Sequence, residues 1–200
     1  MSETRCFVAV ELSDEVRARL DDVRSSLIAQ APEWAGEKWV AQQNLHLTLK
    51  FLGSLSDDDL KRVLASLAEA LTGVPPFVMD LCGVRAVPRP AHSSMVWAAL
   101  DDPDGRCAQL AARVDTAAVA CGLPADDRPF ASHVTLVRAR KPRPLPHEAL
   151  TSADAVMRRS RLSMSVLSAT LFASTLTRTG PVYETIESWA LSSPPANAQE

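Results

Sequence analysis

One short pattern occurs twice in this chain of 200 residues and constrains its fold more than any other feature. The first copy places His46 and Thr48 two residues apart in an apolar stretch, and the second places His133 and Thr135 in the same way. Side chains two residues apart on a β-strand share a face. Each copy is therefore predicted to present one imidazole and one hydroxyl on one surface, while the apolar residues between them point into a core.

The composition is typical of a globular chain that builds its own core. With 46% hydrophobic residues and a formal net charge of -3, the chain can bury one core or two half-size lobes. The absence of a long apolar span and of a signal peptide predicts a cytoplasmic protein with no membrane partner. We expect a single domain over residues 1–192 and a flexible tail over 193–200. Nothing in the sequence indicates an obligate protein partner.

Three segments have the periodicity of amphipathic helices. Their apolar positions begin at Val16, Leu60 and Leu110, and Ser13 and Ser56 are expected to cap the first two. Apolar runs predict strands over 77–82, 95–100, 162–166 and 182–189. This order is neither strict βαβ alternation nor all-β. We expect an α+β fold, a bilobal duplicated module in which two mostly antiparallel sheets face a central cleft with helices on the outer faces.

Two imidazoles and two hydroxyls in one cleft suit phosphoester chemistry. Because imidazole has an unperturbed pKa of about 6.5, one His can act as a base while the other acts as an acid at the same pH. A Thr hydroxyl can hold a phosphoryl oxygen, and a strained 2′,3′-cyclic phosphate is a substrate that suits such a relay. Neither copy has further metal-ligating residues beside it, so we predict no metal and no cofactor.

Two simpler interpretations compete with this one. A lone His in an apolar run is more often a core residue, although two copies in matching contexts argue against that explanation. A basic segment also surrounds the second copy, and it consists of Arg128, Arg138, Arg140, Lys141 and Arg143 with no acidic residue among them. A basic run is often only a solvated loop, but its position beside His133 favours a role facing phosphate.

The chain resembles a known family of phosphoesterases. The stretches Asn44–Gly53, Ser132–Arg138 and Arg5–Leu12 resemble the two-histidine phosphoesterase superfamily. Within it they resemble the RNA 2′,3′-cyclic phosphodiesterase branch, also called the 2′-5′ RNA ligase family. The resemblance covers nearly the whole chain. It implies metal-independent opening of an RNA terminal 2′,3′-cyclic phosphate to leave a 2′-phosphate, with ATP-independent 2′-5′ joining of RNA as the reverse reaction.

The resemblance also implies roles for the residues of the repeated pattern. His46 would be the acid that protonates the 3′ leaving oxygen, and His133 the base that activates water. Thr48 and Thr135 would hold the phosphate.

Two further positions are implied to lie near a bound nucleotide. These are Phe51 and Arg138, each five residues after its His. Strict alternation would place both on the face opposite the His, so this assignment requires a β-bulge or a strand end.

Two other functions are also consistent with the sequence. One is a cyclic phosphodiesterase that acts on a non-RNA nucleotide, such as a cyclic phosphate of ADP-ribose. The other is a noncatalytic module that binds RNA ends. The first differs from the RNA enzyme only in substrate, whereas the second would not turn over any cyclic phosphate.

Overall fold

The computed structural model describes residues 3–178 and 180–193, which form nine strands, four α-helices and two short 3-10 helices, Pro32–Trp34 and Gln42–Asn44. The strands are β1 (Thr4–Glu11), β2 (Lys38–Trp39), β3 (His46–Leu55), β4 (Phe77–Arg89), β5 (His92–Asp101), β6 (His133–Arg143), β7 (Ser163–Val166), β8 (Ser168–Thr177) and β9 (Gly180–Ala190). The helices are α1 (Asp14–Gln30), α2 (Asp57–Leu71), α3 (Arg106–Ala120) and α4 (His147–Arg158). The predicted α+β class is confirmed.

The strands form one curled antiparallel sheet. Its order is β7-β4-β5-β6-β3-β1-β8-β9, and the short β2 pairs with β6. The two strands that carry the repeated pattern, β3 and β6, are neighbours in the middle and share one residue pair, Leu47 with Val134. We expected two separate sheets, and in this respect the structure differs. Both residues of the central pair are fully buried, so the two four-stranded halves meet edge to edge instead of remaining apart.

Local capping sets where the first two helices begin. The Ser13 hydroxyl accepts a hydrogen bond from the Val16 backbone N–H and caps α1. At α2, Ser56 and Asp59 form a reciprocal capping box, in which each side chain accepts from the other residue's backbone N–H. Such side chains satisfy amide groups that have no partner within the helix. Both caps were predicted from the sequence.

The helices cover one face of the sheet and leave the other open. They pack in pairs, α1 with α4 and α2 with α3, and both α2 and α3 contact β3. Leu47 and Leu49 of β3 belong to the hydrophobic core beneath these helices. Because alternate side chains of a strand point to opposite faces, His46 and Thr48 lie on the uncovered face.

The remaining expectations concern the cysteines, membranes and the tail. All four cysteines are unpaired, and Cys6 and Cys107 are buried, as small core residues would be. Within residues 3–178 and 180–193, no helix is long and apolar enough to cross a membrane. The predicted flexible tail, 193–200, lies outside the described residues beyond Ser193.

Candidate active site

The two copies of the repeated pattern meet at the centre of the sheet. The pair formed by Leu47 and Val134 is antiparallel, so continuing its register by one residue places His46 across from Thr135. The same register places Thr48 across from His133. Cross-strand partners share a face, which brings both imidazoles and both hydroxyls to the open side of the sheet. The structure thus brings together the four residues predicted from the repeat.

A β-bulge follows the Thr of the first copy. Val8 of β1 pairs with Lys50, and Ala9 pairs with Thr48, which leaves Leu49 as an extra residue on β3. Leu49 and Lys50 are consecutive and both buried, which regular alternation does not allow. The bulge therefore reverses the facing of the residues that follow it.

The second copy contains a bulge at the equivalent position. Val96 of β5 pairs with Val137, and Trp97 pairs with Thr135, which leaves Leu136 unopposed on β6. Leu136 and Val137 are again consecutive and buried. The first six residues of β3 and of β6 have the same sequence of buried, half-buried and exposed positions. The two strands are thus locally alike in structure as well as in sequence.

These bulges turn Phe51 and Arg138 to the same face as the histidines. Both residues are exposed, Phe51 by 59%, and both line the cleft that also contains His46. The bulge that the assignment of Phe51 and Arg138 required is confirmed. Whether they bind a nucleotide stays a prediction.

Both imidazoles are held in the same orientation by backbone carbonyls. The Nδ1 atom of His46 lies 2.7 Å from the carbonyl oxygen of Asn44, and Nδ1 of His133 lies 2.7 Å from the carbonyl oxygen of Ala131. A carbonyl oxygen can only accept, so Nδ1–H donates in each pair. In the neutral tautomer this leaves Nε2 of each ring as the proton-accepting atom.

The surroundings of His46 favour its neutral form. Burial lowers the pKa of His46, and the nearby charges of Arg17, Arg138 and His133 lower it further. The hydrogen bond to the Asn44 carbonyl opposes this shift but does not reverse it. The effect of His133 on His46 also means that the two rings are close enough to influence each other's charge.

His133 is likewise shifted toward the neutral form. Burial lowers its pKa, and Arg138 adds to the effect, while the hydrogen bond to the Ala131 carbonyl opposes it. The ring is stacked on Trp97, with the two ring centroids 3.8 Å apart. Two imidazoles with lowered pKa values on one surface can exchange protons with a bound substrate near neutral pH.

A cleft of about 450 Å³ opens on this surface. Its lining comprises Arg5, Cys6, Phe7, Val40, Asn44, His46, Thr48, Phe51, Thr135, Arg138, Ser174, Leu176, Pro181 and Tyr183. His133 is not part of this lining and lies against Trp97 beside it. Phe7 and Tyr183 contact the ring of His46, at centroid distances of 4.8 and 5.4 Å. The cleft is large enough for a nucleotide-sized ligand.

Sequence reasoning assigned no role to several residues of this cleft. The Asn44 side-chain amide donates a hydrogen bond of 2.8 Å to the Pro181 carbonyl, which ties the start of β3 to the β8–β9 hairpin. Asn44 therefore joins the hairpin to His46 through its amide and its carbonyl. The only signal in the sequence is an asymmetry, because the second copy has Ala131 where the first has Asn44.

The basic segment is less uniformly basic in three dimensions than in sequence. The Glu37 carboxylate accepts hydrogen bonds from the Arg140 backbone N–H, at 2.7 Å, and from the Arg143 side chain, at 2.8 Å. These two bonds hold the pKa of Glu37 below its usual range. The charge of Arg143 is thus neutralised, whereas the side chains of Arg140 and Lys141 are exposed on β6. Lys38 of β2 is the cross-strand neighbour of Arg138, which adds a further cation to this surface.

A buried cation anchors the chain that leads to the second His. The Lys50 ammonium lies 2.6 Å from Asp115 Oδ1, 3.1 Å from Asp126 Oδ1 and 3.0 Å from the Pro124 carbonyl oxygen. Burial alone lowers the pKa of Lys50, but the two carboxylates together raise it above its ordinary value. Lys50 therefore stays charged and fixes the mostly exposed segment 122–132 against β3 and α3.

The site has the groups for proton transfer and for holding an anion. Within the described residues, no group of three or more His, Cys, Asp or Glu side chains is placed to hold a metal ion. Two proton-accepting imidazoles, two hydroxyls and the Arg138 guanidinium converge on one open face. Such a set can move protons to and from a phosphate ester and hold its charged oxygens.

Comparison with known proteins places this arrangement in a family. The sequence pattern of the 2′-5′ RNA ligase superfamily matches residues 12–173. A relative from Methanothermobacter thermautotrophicus, named RNA 2′,3′-cyclic phosphodiesterase, is 29% identical over 94% of this chain and 100% of its own length. A relative of the same name from Escherichia coli is 32% identical over 96% of this chain and 99% of its own length.

A solved structure agrees with these sequence matches. The crystal structure of E. coli LigT complexed with 3′-AMP superposes with a TM-score of 0.72 at 28% sequence identity, and it covers 95% of this chain and 99% of that one. A family pattern that spans most of the chain and a fold shared over nearly its whole length lead to one conclusion. This chain belongs to the 2′-5′ RNA ligase superfamily.

Proposed function

We propose that this protein hydrolyses the 2′,3′-cyclic phosphate at the end of an RNA and leaves a 2′-phosphate, with 2′-5′ RNA joining as the reverse reaction. One observation carries the proposal. The two His-x-Thr strands meet at the Leu47–Val134 pair with both Nδ1 atoms held by carbonyls, which leaves two Nε2 atoms for proton transfer. The names of the relatives from M. thermautotrophicus and E. coli support the same activity.

The proposed mechanism divides the proton work between the two rings. Neutral His133 takes a proton from water through Nε2 as the water oxygen bonds to phosphorus. Protonated His46 gives its proton to the 3′ oxygen as the bond between that oxygen and phosphorus breaks. Thr48, Thr135 and Arg138 hold the phosphoryl oxygens, whose charge they stabilise in the transition state. Phe51 lies at the cleft wall, where its exposed ring can stack on a base.

The duplicated, bilobal origin of the fold forms part of this proposal. Each half of the sheet contains the order strand, helix, His strand, helix, as β1-α1-β3-α2 and as β5-α3-β6-α4. The two His strands carry bulges at equivalent positions. Two copies of one ancestral unit would account for both similarities, and for a cleft at the junction between them.

The first prediction is that turnover needs no metal. Since the proton relay uses only imidazoles, hydrolysis of a cyclic-ended RNA should continue at an unchanged rate in excess EDTA. The measurement is product formation, followed by identification of the 2′-phosphate. Complete loss on chelation, with recovery on adding one divalent ion, would contradict the mechanism.

The same assay separates the candidate functions. A cyclic-ended oligonucleotide, 2′,3′-cyclic mononucleotides and ADP-ribose 1″,2″-cyclic phosphate are compared by kcat/KM. We expect the oligonucleotide to be the best substrate. Preference for ADP-ribose cyclic phosphate would instead identify a nucleotide phosphodiesterase. Binding of RNA ends without turnover of any substrate would identify a noncatalytic module.

The second prediction concerns pH. His46 must be protonated to act as the acid, and burial lowers its pKa in the free protein. The protonated fraction falls as pH rises through that lowered pKa. In the pH profile of kcat/KM, the midpoint of the basic limb should therefore lie below about pH 6.5. A bound phosphate anion favours the imidazolium and should move the basic limb of kcat to higher pH. Both limbs describe the coupled pair of His46 and His133. A basic limb of kcat/KM above 7 would oppose this assignment.

The third prediction concerns the exposed cations of β6. If Arg140 and Lys141 contact the RNA backbone upstream of the cyclic end, replacing either with Ala should raise KM for the oligonucleotide. Each lost contact should also reduce the slope of log affinity against log salt by about 0.7. Cyclic mononucleotides should be turned over as before. Arg138→Ala should impair both substrates, because Arg138 lines the cleft itself.

Lys61→Ala provides the matched control for this prediction. Lys61 is another exposed cation, on α2, where it pairs with Asp58. Lys61→Ala should leave the salt dependence of oligonucleotide binding unchanged. An equal loss on oligonucleotide and mononucleotide in Arg140→Ala or Lys141→Ala would mean that these residues do not follow the RNA backbone.

A further inference from the structure

Trp97 is the aromatic residue that lies flat against one of the two site imidazoles. Its ring and that of His133 have centroids 3.8 Å apart and planes only 22° apart. The register explains the contact, because Trp97 on β5 is the cross-strand partner of Thr135, two residues from His133 on β6. The indole thus covers one face of the imidazole.

His46 has a different aromatic environment. Phe7 is more distant, at 4.8 Å with a tilt of 33°, and Tyr183 meets the ring edge-on at 83°. Neither contact places an aromatic face directly over the imidazole. The two halves of the site are therefore alike in their carbonyl contacts and their bulges but unlike in this stack.

The indole carries a cost that a phenyl ring would not. The Nε1–H group of Trp97 is buried and has no hydrogen-bond acceptor among residues 3–178 and 180–193. Burying a donor without a partner opposes folding. Phe could fill much of the same position without that penalty. What Trp offers in exchange is the most electron-rich face of any side chain, and a cation binds best over such a face.

A cation forms at this place if His133 is the base of the proposed reaction. When His133 accepts the proton of the attacking water, its ring becomes an imidazolium as the water oxygen bonds to phosphorus. The charge of Arg138 on β6 opposes positive charge on His133, and burial of the ring opposes it as well. The indole face is placed to favour it.

We propose that Trp97 is a positioning residue that holds the His133 ring parallel to its own and stabilises the imidazolium formed when His133 takes the proton from water. This inference rests on the proposed function, because it assigns His133 as the base. Since the positive charge is larger in the transition state than in the ground state, the stack accelerates the reaction and does not merely aid substrate binding.

The test compares Trp97→Phe and Trp97→Leu by two measurements. The first is an NMR titration of the His133 ring in the substrate-free protein, with His133→Ala used for assignment. The pKa of His133 should fall from wild type to Phe and fall again to Leu, because both replacements remain apolar while the aromatic face weakens and then disappears. The second is steady-state kinetics on a cyclic mononucleotide. We expect kcat to fall about 3-fold in Trp97→Phe and roughly 10- to 30-fold in Trp97→Leu with KM little changed.

Trp189→Leu is the control for losing a half-buried indole. Trp189 lies on β9, packed against the core and outside the cleft. The Trp189→Leu variant should leave the pKa of His133 and kcat unchanged, even if its melting temperature falls. Melting curves of all variants confirm that they are folded, and Trp97→Phe tests the proposal should the Leu variant not fold.

The outcomes separate this inference from the proposed function. An unchanged or raised His133 pKa in the Trp97 variants overturns the inference, whatever happens to kcat, and leaves the proposed activity untouched. A wild-type protein that turns over no cyclic phosphate defeats the proposed function and with it the positioning role of Trp97. A lowered pKa with a proportionate loss of kcat supports both.

Discussion

Replacing either His46 or His133 with Ala is expected to reduce kcat on a cyclic-ended RNA by about 10²- to 10⁴-fold, the usual contribution of one general acid or base. Each substitution removes the only Nε2 atom that can carry out its proton transfer. The double variant should lose little more than the worse single variant, because groups that act as one unit are not additive. Steady-state kinetics on purified variants measures the effect.

The control for this prediction is His92→Ala. His92 is an exposed imidazole at the start of β5 and lies outside the cleft, so its loss should leave kcat unchanged. Thr48→Ala and Thr135→Ala should lower kcat through weaker phosphate stabilisation. The two limbs of the pH–rate profile should stay at nearly the same pH values. A folded double His variant with near wild-type turnover would reduce the repeated pattern to two core strands.

Asp115→Ala should destabilise this protein more than the loss of any exposed ion pair. Lys50 is 2% exposed, and Asp115 is its nearest anion at 2.6 Å. Removing that partner leaves a buried ammonium with only Asp126 and a carbonyl. We expect a loss of about 3 kcal/mol, the low end for breaking a buried ion pair, and a melting temperature lower by about 6–12 °C for a chain of this size. Thermal unfolding at neutral pH is the measurement.

A second substitution tests whether the buried charge is the cause. Adding Lys50→Met to Asp115→Ala removes the uncompensated ammonium and should recover much of the lost stability. Asp22→Ala breaks an exposed ion pair with Arg159 and should change the melting temperature little. If Asp115→Ala proved no more destabilising than Asp22→Ala, the ion pair would contribute nothing to the anchoring of segment 122–132.

The helices illustrate where sequence reasoning succeeded and where it failed. Ser13 and Ser56 were identified as caps because capping depends on residues only a few positions apart. Helix α4 was not predicted. Its buried positions include Ala149 and Ala153, whose small side chains give a weak apolar periodicity. This helix depends on tertiary packing against α1, and its own sequence carries only a weak pattern that would predict it.

Local chemistry was enough to predict which side chains of the repeated pattern share a surface. Which side chains share a face of a strand depends only on the geometry of the backbone, so the spacing of His46 and Thr48 predicts a common surface. The same holds for His133 and Thr135. The requirement for a bulge before Phe51 also followed from alternation alone, although nothing in the sequence says that a bulge is present.

Tertiary structure decided how those residues meet. The pairing of Leu47 with Val134, the extra residues Leu49 and Leu136, and the stack of Trp97 on His133 all involve partners far apart in the chain. Such contacts form only when many weak interactions are satisfied together, and no local pattern encodes them. The sequence by itself therefore determined which side chains of each copy share a face. The packing of the whole sheet determined the register of the two His strands and the charge state that their imidazoles favour. It also joined the two halves into a single sheet.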